Sequence, residues 1–174
     1  TLPARGAHPE IRALSEPLWL GRARGVDATR LAALEADCYT HPWTLKQFIE
    51  EVDYGPPGAV LVLRSPRASG RWGDVRGYCV YRLVVDEMHI LNVAVASPLR
   101  RRGLAGWILR FALARAARDG ARKALLEVRE GNLGARALYG GLGFETVGRR
   151  PAYYSQPRED AVLLSLDPLP GERP

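Results

Sequence analysis

The six residues from Arg100 to Ala105 could form a binding site for an anion. They read Arg-Arg-Arg-Gly-Leu-Ala and stand between an apolar segment, Ile90 to Val95, and an amphipathic segment of helical period. A turn before a helix leaves backbone N–H groups unpaired, and the helix dipole and three guanidinium groups add positive potential. Small residues at Gly103 and Ala105 let a phosphate approach the main chain. The pattern predicts a phosphate cradle, although an ordinary basic turn before a helix fits these six residues equally well.

A second segment places a carboxylate where an apolar side chain would be expected. Glu127 lies in the middle of Lys123 to Arg129, which reads as a strand, and a buried carboxylate without a partner is costly. Glu127 therefore needs an ion-pair partner or a water-filled cleft, which suggests a role in proton transfer. Asn132 is suited to cap the next helix, and Tyr139 lies near the end of that helix. Taken singly, capping and packing account for these two residues better than catalysis does.

Several other catalytic motifs are excluded. The chain has no G-x-x-x-x-G-K-[ST] phosphate loop, and Gly141-Leu-Gly143 is followed by Thr146 where a dinucleotide fingerprint requires its third glycine. Neither G-x-S-x-G nor H-E-x-x-H occurs. The three histidines are too far apart for a local metal site, so no metal is expected. Cys38 and Cys79 stand in apolar surroundings and are interpreted as core thiols.

Composition and length favour one globular domain. The chain has 174 residues, of which 47% are hydrophobic and 25% charged, and it lacks an apolar run of the roughly 20 residues that a membrane helix needs. We expect a flexible extension at 1–17, a single domain at 18–167, a disordered tail at 168–174, and a cytoplasmic location. The net charge of +6 permits an acidic ligand or RNA without requiring either.

The hydrophobic periods predict a mixed α/β fold with a mostly antiparallel sheet. The order is strand, two helices, three strands in a meander, helix, strand, helix and two strands. The predicted helices are Val26 to Tyr39 with Asp27 as N-cap, Thr44 to Val52 with Thr44 as N-cap, Gly103 to Asp119, and Leu133 to Gly140. The predicted strands are 18–23, 59–64, 77–85, 88–96, 123–129, 144–149 and 161–166, with a loop at 65–73.

Taken together, these segments resemble the Gcn5-related N-acetyltransferase (GNAT) superfamily. The resemblance is carried by Asn92-Val-Ala-Val-Ala-Ser-Pro98, by R-x-x-G-x-A at 100–105, and by Asn132-x-x-Ala-x-x-Leu-Tyr139-x-x-x-Gly-Phe144. Within the superfamily, the chain is similar to the bacterial ribosomal-protein alanine N-acetyltransferases. That closer likeness is carried by His41-Pro-Trp43, Asp86-Glu87, Leu126-Glu-Val-Arg129 and Arg149-Arg-Pro-Ala-Tyr-Tyr154, and it extends from about Leu18 to Leu166.

The resemblance implies acetyl-CoA as co-substrate and direct transfer of acetyl to a protein N-terminal amine, such as the N-terminal alanine of ribosomal protein bS18. It implies Glu127 as general base and Tyr139 as general acid, with a sheet whose central strand pair splays apart. The implied coenzyme contacts are Val93, Ala94, Val95, Arg101, Arg102, Gly103, Leu104, Ala105, Gly106 and Asn132. The implied peptide contacts are Trp43, Asp86, Glu87, Tyr153 and Tyr154. A solvated turn at Asp86 and Glu87, and packing of the two tyrosines in a loop before a strand, are nearly as consistent with the sequence.

Amine pKa values favour an N-terminal substrate. At pH 7 an α-amine with a pKa of ~7.8 is roughly 14% neutral, whereas a lysine amine with a pKa of ~10.4 is about 0.04% neutral. The difference is a few hundredfold, so a single carboxylate base is adequate for an α-amine. Two other functions stay open from the sequence: acetylation of a lysine or small-molecule amine, and a non-catalytic basic module that binds RNA or the ribosome.

Overall fold

The sheet contains seven strands within the part of the chain that is described. The computed structural model of the protein describes residues 18–66 and 72–169. The predicted extension at 1–17, most of the predicted loop at 65–73, and residues 170–174 lie outside the described residues. The strands are β1 (Trp19–Arg22), β2 (Ala59–Pro66), β3 (Trp72–Val84), β4 (Glu87–Val95), β5 (Lys123–Arg129), β6 (Glu145–Ser155) and β7 (Arg158–Leu166).

The strand order is β1-β2-β3-β4-β5-β7-β6. All neighbouring strands pair antiparallel except β4 and β5, which are parallel. The mixed, mostly antiparallel sheet predicted from the sequence is therefore confirmed, including the meander of β2, β3 and β4. The last hairpin is longer than predicted, because β6 continues to Ser155 and β7 begins at Arg158.

Four α-helices of the described residues flank the sheet: α1 (Ala28–Cys38), α2 (Leu45–Tyr54), α3 (Leu104–Arg118) and α4 (Leu133–Gly140). Thr44 caps α2 as predicted, with a reciprocal capping box to Gln47. Asp27 is the N-cap residue of α1 as predicted, but its side chain makes no capping hydrogen bond to α1. Its carboxylate instead accepts from the N–H of Arg24 and forms a buried ion pair with Arg64.

Helices cover both faces of the sheet, so the core has two layers. On one face Leu104, Ile108 and Leu109 of α3 pack with Leu61 and Cys79 of the sheet. On the other face α1 and α2 contribute Leu31, Leu34 and Phe48, which pack with Val62 and Tyr78. The apolar stripe predicted for α3 is the face that meets the sheet. Of the helices that the structure describes, none has the length and hydropathy needed to cross a membrane.

The ordered core extends two residues beyond the predicted end of the domain. Leu169 is buried in the α3 layer, and its N–H donates to the carbonyl of Arg122. Leu169 of the predicted tail at 168–174 is thus packed against the domain, and the predicted boundaries stay a prediction. An apolar side chain next to Asp167-Pro168 finds a place in the core, which the Pro-rich composition concealed.

The parallel contact between β4 and β5 is short, and this positions the site. The register joins Glu87 to Lys123 and ends with Ile90 opposite Leu126. Beyond that pair the two strands have no common register, so Leu91 to Val95 and Glu127 to Arg129 diverge. β4 continues along β3 and β5 continues along β7. The splayed strand pair implied by the family resemblance is present, and it opens a cleft in the middle of the sheet.

Loss of the Asp27–Arg64 ion pair is expected to destabilise the fold. Both side chains are almost completely buried, and removal of one partner of a buried pair leaves a desolvated charge. We expect Asp27→Asn to lower the free energy of unfolding by about 3 kcal/mol in urea titrations. Glu50→Gln, which removes the exposed Lys46–Glu50 pair, should change it by less than about 0.5 kcal/mol. Equal effects of the two substitutions would contradict this account.

Candidate active site

The diverging strands form the floor of a cleft with a volume of about 800 Å³. Its walls come from four directions: the splayed part of β4, the end of β5, the start of α3 with one side of α4, and the loops that follow α1 and β6. The cleft unites most of the residues singled out from the sequence. Those that line it are Trp43, Val93, Ala94, Val95, Ala105, Glu127, Asn132, Tyr139 and Tyr154.

Backbone groups of β4 face the cleft at alternate residues. The carbonyl of Val93 accepts from the Tyr39 hydroxyl, and the carbonyl of Val95 accepts from Nε of Arg100 at 3.0 Å. The N–H of Ala96 donates instead to β3, at Arg76. Because the backbone groups of alternate residues point to opposite sides of a strand, those of Val93 and Val95 face the cleft and those of Ala94 face β3. Val93 and Val95 therefore offer main-chain hydrogen bonds to a ligand, whereas Ala94 offers contact surface.

The turn at Arg101 to Gly103 has the backbone geometry of an anion cradle. Arg101 and Gly103 have positive φ values of 61° and 80°, and α3 begins at the next residue. Among the described residues, no backbone carbonyl of a turn or loop accepts from the N–H groups of residues 101–106. The N-cap residue of α3, Gly103, has no side chain that could accept from them. Six consecutive donors at the start of a 15-residue helix are suited to a diphosphate.

Asn132 lines the cleft at the start of α4. Its Oδ1 accepts from the N–H of Ala135 at 3.1 Å, so the capping role predicted from the sequence is confirmed. Ala135 and Leu138 of the same helix line the cleft as well. Capping and ligand contact are therefore compatible at this residue.

Glu127 has both the partner and the water-filled cleft that its sequence position requires. Its carboxylate is 28% exposed, and Oε1 is 2.7 Å from a guanidinium nitrogen of Arg150. The hydroxyl of Tyr153 also donates to the Glu127 carboxylate, and this hydrogen bond raises the pKa of Tyr153. Glu127 faces the cleft from the strand edge that diverges from β4. An oriented, partly hydrated carboxylate of this kind can accept a proton from a bound amine.

Tyr139 is buried on the inner side of the same cleft. Its ring packs edge-on against Phe144, with ring centroids 5.7 Å apart. Burial raises the pKa of the Tyr139 hydroxyl above its usual value, so the group stays protonated at neutral and moderately alkaline pH. Tyr139 is thus a hydrogen-bond donor held in one place by its packing.

Two loops flank the open end of the cleft and contact each other. Nε2 of His41, in the loop between α1 and α2, is 2.6 Å from the carbonyl oxygen of Gln156 in the β6–β7 turn. Trp43 lies on the first of these loops and packs against Phe48. Tyr154 lies next to the second, with the Arg129 guanidinium 4.0 Å from its ring centroid. These side chains form an aromatic approach to Glu127.

Two of the predicted peptide contacts are not brought to the cleft. Asp86 lies in the turn between β3 and β4, and Glu87 starts β4, three residues before the first β4 residue that lines the cleft. Glu87 is already paired with Lys123 at 2.7 Å and with His89 at 3.0 Å. Asp86 and Glu87 thus lie at the paired end of β4 and β5 and do not line this cleft, and their contact with a peptide stays a prediction.

Tyr153 and Tyr154 occupy different environments, and neither lies in the loop that the sequence predicted for them. They belong to β6 rather than to a loop, at a place where the register of β6 with β7 shifts between Arg150 and Tyr154. Tyr154 lines the cleft, whereas Tyr153 is half exposed and reaches Glu127 through its hydroxyl. Their rings pack edge-on with centroids 5.1 Å apart.

Sequence reasoning missed Glu35, a fully buried carboxylate beside the cleft. The signal was present, because Leu31, Leu34, Glu35 and Cys38 share the i, i+3, i+4, i+7 spacing of one helix face. It also missed the pairing of Arg129 with Glu159, whose other oxygen accepts from the N–H of Gly131. Nothing local in the sequence marks that pair, because its members come from two strands and a loop.

Comparison with known proteins gives consistent results. A model of the acetyltransferase (GNAT) family matches residues 28–144. The chain is 30% identical over 135 residues to the ribosomal protein bS18-alanine N-acetyltransferase of Salmonella typhimurium. This match covers 76% of this chain and 86% of that protein. It is 31% identical over 161 residues to the N-alpha-acetyltransferase RimI of Mycobacterium tuberculosis, covering 88% and 94% of the two chains.

Among solved structures, the fold is similar to that of the ribosomal-protein-S18-alanine N-acetyltransferase of Escherichia coli. The TM-score is 0.78 with 25% identity, and the match covers 90% of this chain and 97% of the other. The similarity therefore includes both halves of the sheet, on either side of the cleft.

Proposed function

This chain belongs to the acetyltransferase (GNAT) family, and from that premise we propose that it transfers the acetyl group of acetyl-CoA directly to the α-amine of a protein N-terminus. The observation that carries the proposal is the cleft between β4 and β5, which has backbone donors at one end and Glu127 at the other. As an acetyl-CoA-dependent N-α-acetyltransferase, the chain needs to hold a thioester and an amine together between these two ends.

The cleft fits the coenzyme along its length. The N–H groups of Arg101 to Gly106 would hold the diphosphate, with guanidinium groups of the same turn nearby. Val93 and Val95 would pair with the amide groups of the pantetheine arm, and Asn132 and Ala105 would contact it from the sides. Acetyl-CoA supplies the activated acetyl group, while the protein orients it toward Glu127.

Glu127 would accept the proton that an incoming ammonium must lose before it can attack, directly or through a water molecule. Arg150 and Tyr153 hold the carboxylate in place while part of it remains hydrated. The Val93 N–H faces the cleft and would donate to the thioester carbonyl oxygen as negative charge develops there. Tyr139 would donate a proton or a hydrogen bond to the departing sulfur. Neither Cys38 nor Cys79 is required as a nucleophile, so the two substrates react in one ternary complex.

For the acceptor, we propose a protein N-terminus, with the N-terminal alanine of ribosomal protein bS18 as the first substrate to test. The aromatic side chains of Trp43 and Tyr154 flank the approach to Glu127 and can contact a peptide main chain. The likeness to proteins named for that activity, and the larger neutral fraction of an α-amine at pH 7, support this choice. Direct binding of nucleic acid is not part of the proposal, because the arginines of the 100–102 turn are assigned to the coenzyme. The cytoplasmic location remains a prediction.

Assays of thiol release from acetyl-CoA test the acceptor. Three acceptors are compared: a peptide with the bS18 N-terminal sequence, the same peptide with its α-amine blocked, and free polyamines. We expect release only with the free α-amine. Turnover that survives blocking would instead assign the enzyme to lysine or small-molecule amines. If acetyl-CoA fails to bind at micromolar concentration in calorimetry while RNA binds with a steep salt dependence, the function is RNA binding.

A negative charge in the proposed diphosphate cradle should weaken coenzyme binding. Ala105 lines the cleft in the first turn of α3. We expect Ala105→Glu to raise the Kd for acetyl-CoA about tenfold in calorimetry, because its carboxylate repels a diphosphate and competes for the same N–H groups. Ala137→Glu places the same side chain on an exposed helical position outside the cleft and should leave the Kd unchanged. Equal affinities for the two variants would contradict the assigned cradle.

A further inference from the structure

Glu35 is a buried charged residue beside the cleft that the proposed mechanism does not use. It lies on α1, is 2% exposed, and has its side chain among the residues that line the cleft. Burial of a carboxylate in an apolar layer is costly unless it is fully hydrogen-bonded. Glu35 has three hydrogen-bond donors. They are the N–H of Trp43 at 3.0 Å, Nδ2 of Asn92 at 2.9 Å, and the hydroxyl of Tyr78.

The three donors belong to three different parts of the fold. Tyr78 is on β3, Asn92 is on β4, and Trp43 is in the loop between α1 and α2. Burial and the hydrogen bond to Glu35 raise the pKa of Tyr78, so its hydroxyl remains a donor. A single carboxylate therefore joins α1, the sheet and a loop through hydrogen bonds to a charged acceptor, which are the stronger kind.

Two of these donors stand next to groups on which acetyl transfer depends. Asn92 directly precedes Val93 and lies in the splayed part of β4, where β5 no longer supports the strand. Its side-chain bond to Glu35 adds to the β3 pairing that holds this edge. Trp43 forms one wall of the approach to Glu127, and the bond from its N–H fixes the backbone of that wall.

We propose that Glu35 is a positioning residue that fixes the Val93 edge of β4 and the Trp43 wall of the acceptor groove relative to each other. This inference rests on the proposed function, since it concerns acetyl transfer in the same cleft. Glu35 does not exchange protons with the substrate in this account. Its three hydrogen bonds hold the carbonyl-binding strand and the amine approach at the spacing that attack requires.

Kinetics of Glu35→Ala test the positioning role. We expect kcat to fall and the peptide KM to rise, each about tenfold, while the calorimetric Kd for acetyl-CoA stays within about twofold. Coenzyme affinity is largely retained because the hydrogen bonds of Glu35 go to Trp43, Tyr78 and Asn92, and not to the 101–106 segment that is assigned to the diphosphate. The matched control is Glu51→Ala on α2, which removes a largely buried carboxylate that makes two hydrogen bonds to Arg82 away from the cleft. It should lower the melting temperature without changing kcat or KM.

Glu35→Gln provides a rescue within the same experiment. Its amide oxygen can accept from Trp43 and Asn92, and its amide N–H can donate to the Tyr78 oxygen. We therefore expect Glu35→Gln to retain kcat and peptide KM within about threefold of the unmodified protein. A glutamine variant as impaired as the alanine variant would show that the charge acts, and it would overturn a positioning role.

Hydrogen–deuterium exchange of the coenzyme-free protein tests the same proposal without catalysis. Glu35→Ala should increase exchange at 91–95 and at Trp43, and leave that of β7 unchanged. If the unmodified protein fails to acetylate any peptide, the proposed function fails while this measurement still decides the role of Glu35. Unchanged exchange at both segments, or unchanged kcat and KM in the alanine variant, would overturn the proposal.

Discussion

Replacement of Glu127 by glutamine is expected to lower kcat about 10²-fold at pH 7. The substitution keeps the shape of the side chain but removes its ability to accept a proton from the bound ammonium. Only the fraction of amine that is already neutral can then react. This fraction is about 14% at pH 7 and about 94% at pH 9 for an α-amine with a pKa of ~7.8. The deficit should therefore shrink to about 15-fold at pH 9, and this convergence is the signature of a lost base.

The control for Glu127→Gln is Glu130→Gln. Glu130 directly follows the same strand and forms an ion pair with Arg149, just as Glu127 does with Arg150, but it does not line the cleft. Its substitution removes an arginine pair of the same kind and should leave kcat unchanged. Assays at saturating peptide and acetyl-CoA from pH 6.5 to 9.5 compare both variants with the unmodified protein. A deficit that does not depend on pH would assign Glu127 to orientation of the substrate instead.

The fold could be predicted well from the sequence where the pattern was local. The helical period of the α3 segment and the N-cap residue type of Thr44 predicted these helices, and the resemblance identified the splayed strand pair. The prediction was incomplete where a distant partner determines the structure. Asp27 has the residue type of a cap, yet its carboxylate is taken by Arg64 from β2. The β6–β7 hairpin is longer than its apolar pattern, because strand pairing with β7 extends through polar residues such as Arg150.

In the candidate site, too, residues in local motifs could be predicted from the sequence, whereas contacts with distant partners could not. Asn132, Tyr139 and, from the 101–106 segment, Ala105 belong to recognisable motifs, and the structure places these three around one cleft. Asp86 and Glu87 were assigned by resemblance alone, and the direction of β4 carries them to its other end. Arg150 was not predicted as the partner of Glu127, because that pair joins strands separated by β7 in the sheet. A carboxylate on an apolar strand predicts that a partner exists, but the local sequence does not show which residue that partner is.

The environment of Tyr139 determines what its hydroxyl can contribute. Burial raises its pKa, so the protonated form persists beyond pH 9 and the hydroxyl should cause no loss of kcat below about pH 10. The same shift makes the phenol a weaker acid than a thiol of pKa ~8.5. Complete proton transfer to a thiolate is therefore uphill, and much of the contribution is a hydrogen bond to sulfur as charge develops. We accordingly expect the loss of the Tyr139 hydroxyl to lower kcat less than the loss of the Glu127 carboxylate does.

Tyr139→Phe should lower kcat about 30-fold and change the Kd for acetyl-CoA less than twofold. The phenylalanine ring keeps the edge-on packing with Phe144, so the fold should be retained. Single-turnover acetylation, which excludes product release, is the measurement. The control is Tyr81→Phe, since Tyr81 is another buried tyrosine that does not line the cleft and whose hydroxyl has no hydrogen-bond partner among the described residues. If both variants transfer acetyl at the rate of the unmodified protein, Tyr139 only packs, and the thiolate leaves without a donor.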